Sequence, residues 1–274
     1  MKVGAIVQAR CGSSRLQKKV LLKLPFSSNT TVLEHIIRRV SQSELIEQLI
    51  IATTNNQEDD QIANFFPQNL FRGDESHVLS RYYLAAKENQ IDVIVRITGD
   101  NPCINATNID TTVRNHISKK YDYSKTSGLP LGTNIEVISF SALEIAYFDA
   151  KDTYEIEHVT PYILRRPEKF KIGVLPINVS NSLKDLRLTL DYPSDYAMLN
   201  IIFSYFDNKI FSIAELEDFM ESNSWVKEIN RNYQKQHYSN EYQELEVALN
   251  MLEQAELKTA TNIVRRAMLE YYQN

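Results

Sequence analysis

The sequence predicts an α/β protein built on a mostly parallel sheet and extended at its C-terminus by helices. Short runs rich in β-branched apolar residues alternate with longer amphipathic stretches as far as about residue 130. That β-α-β-α rhythm is the mark of parallel strands joined by helical crossovers. Beyond about residue 193 the pattern turns almost wholly helical, and residues 242–271 contain neither Pro nor Gly.

Taken in order, residues 3–7 read as a buried strand. Residues 32–40 read as a helix, with Val32, Leu33, Ile36, Ile37 and Val40 on one face. A second strand is expected over 49–52 and a second helix over 57–66. Residues 78–87 form a third helix. The third strand, 93–97, is apolar apart from Arg96. Strands are then expected at 134–140, 170–177 and 186–190, with 154–165 helical. The division expected is a main domain over 1–224 and a helical extension over 225–274, where Leu245, Leu249, Leu252 and Leu257 line an apolar face that either packs on the chain's own domain or makes a homodimer contact.

The chain has 274 residues, 43% hydrophobic and 24% charged, which suffices for a full core. Its net charge of -5 argues against a protein that grips a nucleic-acid backbone. An anionic ligand must be held by a local cluster of positive side chains. The two cysteines, Cys11 and Cys103, are too few for a disulfide framework. The apolar run at the N-terminus is broken by Gln8-Ala9-Arg10, so neither a signal peptide nor a membrane span is expected there. A cytoplasmic, reduced protein with no membrane partner is the expectation.

Directly after the first strand comes a loop, residues 8–20, holding Gly12, Ser13, Ser14, Arg10, Arg15, Lys18 and Lys19. Amides around Gly12 and Ser13 can form an anion nest, and Arg10, Arg15 and Lys19 supply charge for a triphosphate. A basic run alone reads as a solvated loop; its place at a strand's carboxyl end favours phosphate. It is neither a Walker A loop nor a dinucleotide fingerprint. Two further strand ends run into aspartates, Asp100 in Thr98-Gly99-Asp100 and Asp191 in Asp191-Tyr192-Pro193. Each alone reads as a turn or helix cap. Together, near a phosphate loop, they suit a hard cation such as Mg²⁺ that also grips substrate phosphate.

These residues carry a resemblance. Residues 8–21 read Q-A-R-C-G-S-S-R-L-Q-K-K-V-L, and Ala52-Thr53-Thr54, Phe71-Arg72-Gly73, Val78-Leu79-Ser80-Arg81-Tyr82, Arg96-Ile97-Thr98-Gly99-Asp100, Glu157-His158-Val159-Thr160-Pro161-Tyr162 and Leu188-Thr189-Leu190-Asp191 follow in order. In these blocks the chain resembles the cytidylyltransferases of the spore-coat-polysaccharide type, relatives of the CMP-sialate and CMP-Kdo synthetases. The resemblance covers roughly residues 1–230. It implies a Rossmann-like nucleotidyltransferase fold of the GT-A-like kind and transfer of CMP from CTP to an acidic sugar or a sugar or polyol phosphate. By the same resemblance Arg10, Ser13, Ser14, Arg15 and Lys19 hold the triphosphate, Ala52, Thr53 and Arg81 lie near the cytidine, and Asp100 and Asp191 bind Mg²⁺. Gln8, Ala9, Gly12, Thr98 and Gly99 complete the nucleotide set, while Asn134, Glu136, Glu157 and His158 face the acceptor. Arg10, Lys19, Asp100 and Asp191 carry the chemistry.

Three departures stand out: Gln17 replaces the family's usual Pro, Asn134 replaces a common Asp, and the Asn101 to Cys103 stretch differs from the usual pattern. None removes a triphosphate or metal residue, though Asn134 leaves the acceptor open. A GT-A glycosyltransferase is the rival enzyme, disfavoured because no D-x-D closes a strand; a non-catalytic nucleotide-binding protein is the second rival. Cys11 reads as a loop filler and not a nucleophile, and His35 as structural.

Overall fold

The computed structural model describes residues 1–13, 15–233, 245, 249, 251–253 and 256–271. Strand β1 (Val3–Gln8) lies at the centre of a seven-stranded sheet. It pairs in parallel with β2 (Gln48–Thr54) on one side and β4 (Val93–Thr98) on the other. The order across the sheet is β3-β2-β1-β4-β6-β5-β7, with β3 at Leu70–Gly73, β5 at Tyr123–Ser127, β6 at Glu136–Ser139 and β7 at Ile172–Pro176. Only β6 runs against its neighbours, β4 and β5. A mostly parallel α/β sheet is therefore what the sequence rhythm promised.

Alternation along each strand fills two apolar layers. Val7, Ile51, Val95 and Ile97 face one layer, closed by α1 (Val32–Val40), α4 (Ala106–Lys119), α9 (Pro193–Tyr205) and α10 (Ile213–Ser222). Ile6, Ile50, Ala52 and Ile94 face the other, closed by α3 (Val78–Glu88), α5 (Phe140–Asp149), α6 (Thr153–His158) and α7 (Pro161–Leu164). Helix α1 starts at a reciprocal cap: the Glu34 amide donates to Thr31 Oγ1 at 3.2 Å and the Thr31 amide to Glu34 Oε2 at 2.6 Å. The remaining helices of this unit are the short α2 (Asp60–Phe65) and α8 (Asn181–Lys184).

Three expectations are corrected. Residues 186–190 are no strand. The Leu186 carbonyl and Leu188 amide bond Leu131, and the Leu190 amide bonds the Asp100 carbonyl at 2.8 Å, so the segment ties two loops together without entering a ladder. Its leucines are apolar because they close the first layer. The helix expected over 154–165 is two helices, α6 and α7. Between them Val159 takes φ 71°, ψ −56°, and the Thr160 amide donates to the His158 carbonyl at 2.8 Å, a γ-turn. Pro161 stands at the first position of α7, where its missing amide costs no helical hydrogen bond. Within 242–271 the chain turns at Glu256, φ 56°, before α11 (Lys258–Tyr271). Residues 242–244 lie outside the described residues.

Strands β3 and β5 and helix α4 were not anticipated. The sequence of β5, Tyr-Ser-Lys-Thr-Ser, is polar, yet Ser124 and Thr126 are buried between β6 and β7. The chain divides into two compact units, Met1–Asn232 and Tyr233–Asn274. In the second, α11 is the main described element; Leu245, Leu249 and Leu252 are half-buried and Leu257 is exposed. Among the described residues no helix is long and apolar enough to cross a membrane.

Candidate active site

The site is assembled where β1, β2 and β4 end. Asp100 follows β4 directly, and the hydrogen bond from Leu190 to the Asp100 carbonyl brings Asp191 to the same edge. Lys19, on a short 3₁₀ turn that closes the basic loop, reaches both carboxylates. Its Nζ lies 2.7 Å from Asp100 Oδ2 and 2.8 Å from Asp191 Oδ1. Arg15 donates to the same Asp191 oxygen at 2.8 Å and to Tyr192 Oη at 3.2 Å. Residues from three segments distant in sequence thus meet at one point.

The two aspartates are held differently. Thr98 Oγ1 donates to Asp100 Oδ1 at 2.7 Å. Asp191 is fixed by Arg187 Nη2 at 2.5 Å and by its own amide, which donates to Asp195 Oδ2 at 2.9 Å. Asp195 has no exposed surface and accepts from Arg187 Nε at 3.1 Å, the Tyr192 amide at 3.0 Å and Asn230 Nδ2 at 3.0 Å as well. Burial alone would raise the Asp191 carboxyl. Its bond to Lys19 and the charges of Lys19, Arg15 and Arg187 outweigh burial and hold it below the usual range. Lys19 shows the mirror image: burial opposes its charge, and the two aspartates more than restore it, raising its pKa.

The loop that carries Lys19 is braced from below. The Cys11 amide donates to Asp59 Oδ1 at 2.6 Å, and the Lys18 amide returns to the Cys11 carbonyl at 3.2 Å with Lys18 in left-handed backbone, φ 50°. Gly99 packs against β1, where a side chain would meet the Gln8 carbonyl at 2.9 Å. Its amide donates to that carbonyl at 2.7 Å, and the Ala9 amide to the Ala52 carbonyl at 3.1 Å. The Cys11 thiol, buried and beside Asp59, is pushed up to about 11, in keeping with a filler and not a nucleophile.

Beside this centre lies a group of buried polar atoms without partners: Gln8 Oε1, Thr53 Oγ1, Arg81 Nε and Nη1, and Arg96 Nε. Such atoms are costly unless a ligand or water meets them. Arg81 is 1% exposed, and its stem lies where a side chain at Gly73 would stand, 2.8 Å from Arg81 Cγ. Ala52 is wholly buried beneath.

Other candidates lie apart from the aspartate pair. Arg10 pairs with Glu75 at 2.9 Å, and Asn56 holds the other Glu75 oxygen at 2.6 Å. Gly12 and Ser13 are half-buried in the loop, and Ser14 lies outside the described residues. Glu136 is engaged by Arg96 across β4 and β6 and by the Tyr123 hydroxyl. Asn134 donates to the Pro130 carbonyl at 3.2 Å. Glu157 and His158 are exposed on α6, the His158 ring 4.3 Å from that of Tyr154; the buried acid of this helix is Glu155, paired with Arg166 at 2.9 Å.

Sequence reasoning passed over Arg187 and Asp195. Asp-Tyr-Pro-Ser-Asp carried the signal, since Pro at the first position and an acid at the third mark a helix start. Asp100 and Asp191 offer hard oxygen donors converging on one cation position, a donor set that suits Mg²⁺ completed by phosphate oxygens. Among the described residues no group of three or more metal-ligating side chains occurs.

Known proteins share this chain's sequence and fold. A family model described as cytidylyltransferase matches residues 4–254. An uncharacterized protein of Methanocaldococcus jannaschii is 39% identical over 87% of this chain and 98% of its own length. The spore coat polysaccharide biosynthesis protein SpsF of Bacillus subtilis is 33% identical over 72% of this chain and 85% of its own. A solved cytidylyltransferase from Leptospira borgpetersenii superposes with a TM-score of 0.76 at 32% identity, covering 88% of this chain and all of that one.

Proposed function

The chain belongs to the cytidylyltransferase family, and we propose that it transfers CMP from CTP to an acidic sugar or to a sugar or polyol phosphate, releasing pyrophosphate, in surface-polysaccharide synthesis. The observation that carries the reading is the meeting of Asp100, Asp191, Lys19 and Arg15 at one strand edge. The relative from Bacillus subtilis, named for spore coat polysaccharide biosynthesis, supports the pathway class.

Asp100 and Asp191 would hold Mg²⁺, which when bound supplies Lewis acidity at the α-phosphate. Lys19 and Arg15, now on the aspartates, would turn to the triphosphate and neutralise the charge that grows on the leaving pyrophosphate. Arg10 is assigned to join them on leaving Glu75, an exposed pair of small worth. The unpartnered Gln8, Thr53 and Arg81 atoms suit a polar, flat ligand, so the cytosine ring is assigned to that wall. An acceptor oxygen attacks the α-phosphorus in line with the bridging oxygen that leaves, its proton passing to solvent or to a nearby base. Catalysis of this kind is chiefly positioning. Glu136, Asn134, Glu157 and His158 are assigned to the acceptor side. The C-terminal unit is assigned to homodimer contact; light scattering on a chain ending near residue 237 should then show a halved mass.

The test of the reaction is pyrophosphate release with each nucleoside triphosphate and Mg²⁺ across a panel of acidic sugars and sugar phosphates. Release selective for CTP and dependent on one acceptor class is expected. CTP binding with no release for any acceptor would refute it.

A further inference from the structure

A second polar cleft, of about 330 Å³, opens where the N-terminal ends of α4 and α10 come together. Asn105 caps α4 through a 3.1 Å bond from the Asn108 amide, and Ser212 caps α10 through a 3.1 Å bond from the Glu215 amide. The first-turn amides of Ala106, Thr107 and Ile213 have no intrahelical acceptors and carry the positive ends of two helix dipoles. Helix ends alone do not make a site. Arg39, from α1, supplies the independent observation.

Arg39 lines this cleft and is 2% exposed. Its Nη1 donates to the Phe211 carbonyl at 3.0 Å, and its guanidinium lies 3.9 Å from the centre of the Phe211 ring and 5.6 Å from that of Phe203. Its Nε and Nη2 have no partner. Those two nitrogens form the side edge of the guanidinium, the pair that binds a carboxylate or phosphoryl group through two parallel bonds. Leaving a buried charged donor unmet is costly, and the cation–π contacts stack the ring faces while leaving that edge unused.

The carboxylates at the cleft are all taken. Asp110 accepts from Ser43 Oγ and from the Glu44 and Leu45 amides at 3.1 and 3.3 Å. Glu215 accepts from the Ser212 amide and hydroxyl at 2.7 and 2.8 Å, and Glu44 pairs with Arg114 at 3.0 Å. None of them turns to Arg39, although each lies on the same wall. Their negative charge limits the guest to a single small anionic group, and sets its affinity at a modest level.

We propose that this cleft is a second, small-oxyanion site, separate from the triphosphate loop, in which the Nε–Nη2 edge of Arg39 receives a carboxylate or phosphoryl group beside the first turns of α4 and α10.

The test is calorimetric titration of the full chain with phosphate, sulfate or acetate while CTP and Mg²⁺ saturate the nucleotide site and no acceptor is present. Wild-type protein should bind at least one of the three. Phosphate and sulfate binding without acetate identifies a phosphoryl-type guest, and acetate binding identifies a carboxylate. Arg39→Lys keeps the charge and loses the paired edge, and should bind at least tenfold more weakly. Thr107→Glu places a carboxylate on an exposed first-turn position where acids favour the helix, so the fold is retained; it should abolish binding. Neither change touches the nucleotide residues, so turnover without added anion should stay at the wild-type rate. The proposal is overturned if wild type binds none of the three, or if either Arg39→Lys or Thr107→Glu binds as tightly as wild type.

Discussion

Replacing Asp195 by Asn tests how Asp191 is held. Asp195 has no exposed surface and accepts Arg187 Nε at 3.1 Å on both oxygens, the Asp191 and Tyr192 amides at 2.9 and 3.0 Å, and Asn230 Nδ2 at 3.0 Å. Every partner is a donor, so an amide in either orientation turns an NH₂ group on at least one of them. Breaking one half of a buried ion pair costs about 3–5 kcal/mol. Arg187 keeps its 2.5 Å bond to Asp191, so the expected loss is the lower end, about 3 kcal/mol. For a unit of this size that is about 6–12 °C in Tm, at roughly 2–4 °C per kcal/mol. Denaturant titration and a thermal scan measure it directly. Turnover should fall as well, because the Asp191 amide loses its anchor, while the KM for CTP should move less. A loss of under about 1 kcal/mol with unchanged turnover would refute the view that Asp195 positions the site.

Four further outcomes are expected. Asp100→Asn should lower turnover at least ~100-fold with little change in Tm, as for a lost preorganised charge; near-normal pyrophosphate release would remove Asp100 from the metal site. Arg81→Met should raise the KM for CTP about tenfold or more without loss of stability, since it deletes an unmet buried guanidinium; reduced stability with an unchanged KM would make Arg81 structural. Gly132→Ala should destabilise by at least about 2 kcal/mol, because Gly132 sits at φ 95° and a side chain there meets the Thr189 amide at 2.6 Å. Burial holds His35 and His116 down to about 4, so both stay neutral in the fold and take up protons on unfolding. Their contribution is present above the free-histidine value of 6.5 and is lost as pH falls from there toward about 4, at about 3 kcal/mol each. A denaturation midpoint that stays flat from pH 7 to 4 would contradict this, and His116→Gln should remove part of the slope.

The parallel half of the sheet was plain in the sequence because its strands are apolar on both faces, as with Val3–Gln8 and Val93–Thr98. The polar strand β5 was hidden, since its Ser and Thr side chains are satisfied by neighbours that only the folded chain supplies; His116 Nδ1, for instance, lies 2.9 Å from Ser124 Oγ. The apolar Leu186, Leu188 and Leu190 misled for the opposite reason: burial under a loop gives the same period as a strand. At the site, Asp100, Lys19 and Arg15 drew notice because they sit at a strand exit or in a basic loop; Asp191 drew notice because Leu186 to Leu190 reads like a strand, and it reaches the same edge through a loop instead. Arg187 and Asp195 were not, because a buried ion pair in a turn looks like ordinary solvated charge until its burial is known. The resemblance implied residue roles that spacing could not, among them those of Glu157 and His158, which stand on an exposed helix face.

The reversed strand β6 has a consequence for how such a protein can change. Because β6 runs against β4, its start at Glu136 stands next to the end of β4 at Arg96, and the connection from β5, residues 128–135, is delivered to the same edge. That connection hydrogen-bonds through Leu131 to the segment leading into Asp191, while no strand of the parallel half passes through it. One stretch of chain therefore borders the parallel half of the sheet. Under the proposed reaction its side chains can change to suit new acceptors, apart from Gly132 at φ 95° against Thr189, while the pairing of β1, β2 and β4 is left alone. Diversity of product within one architecture would then accumulate in that connection first.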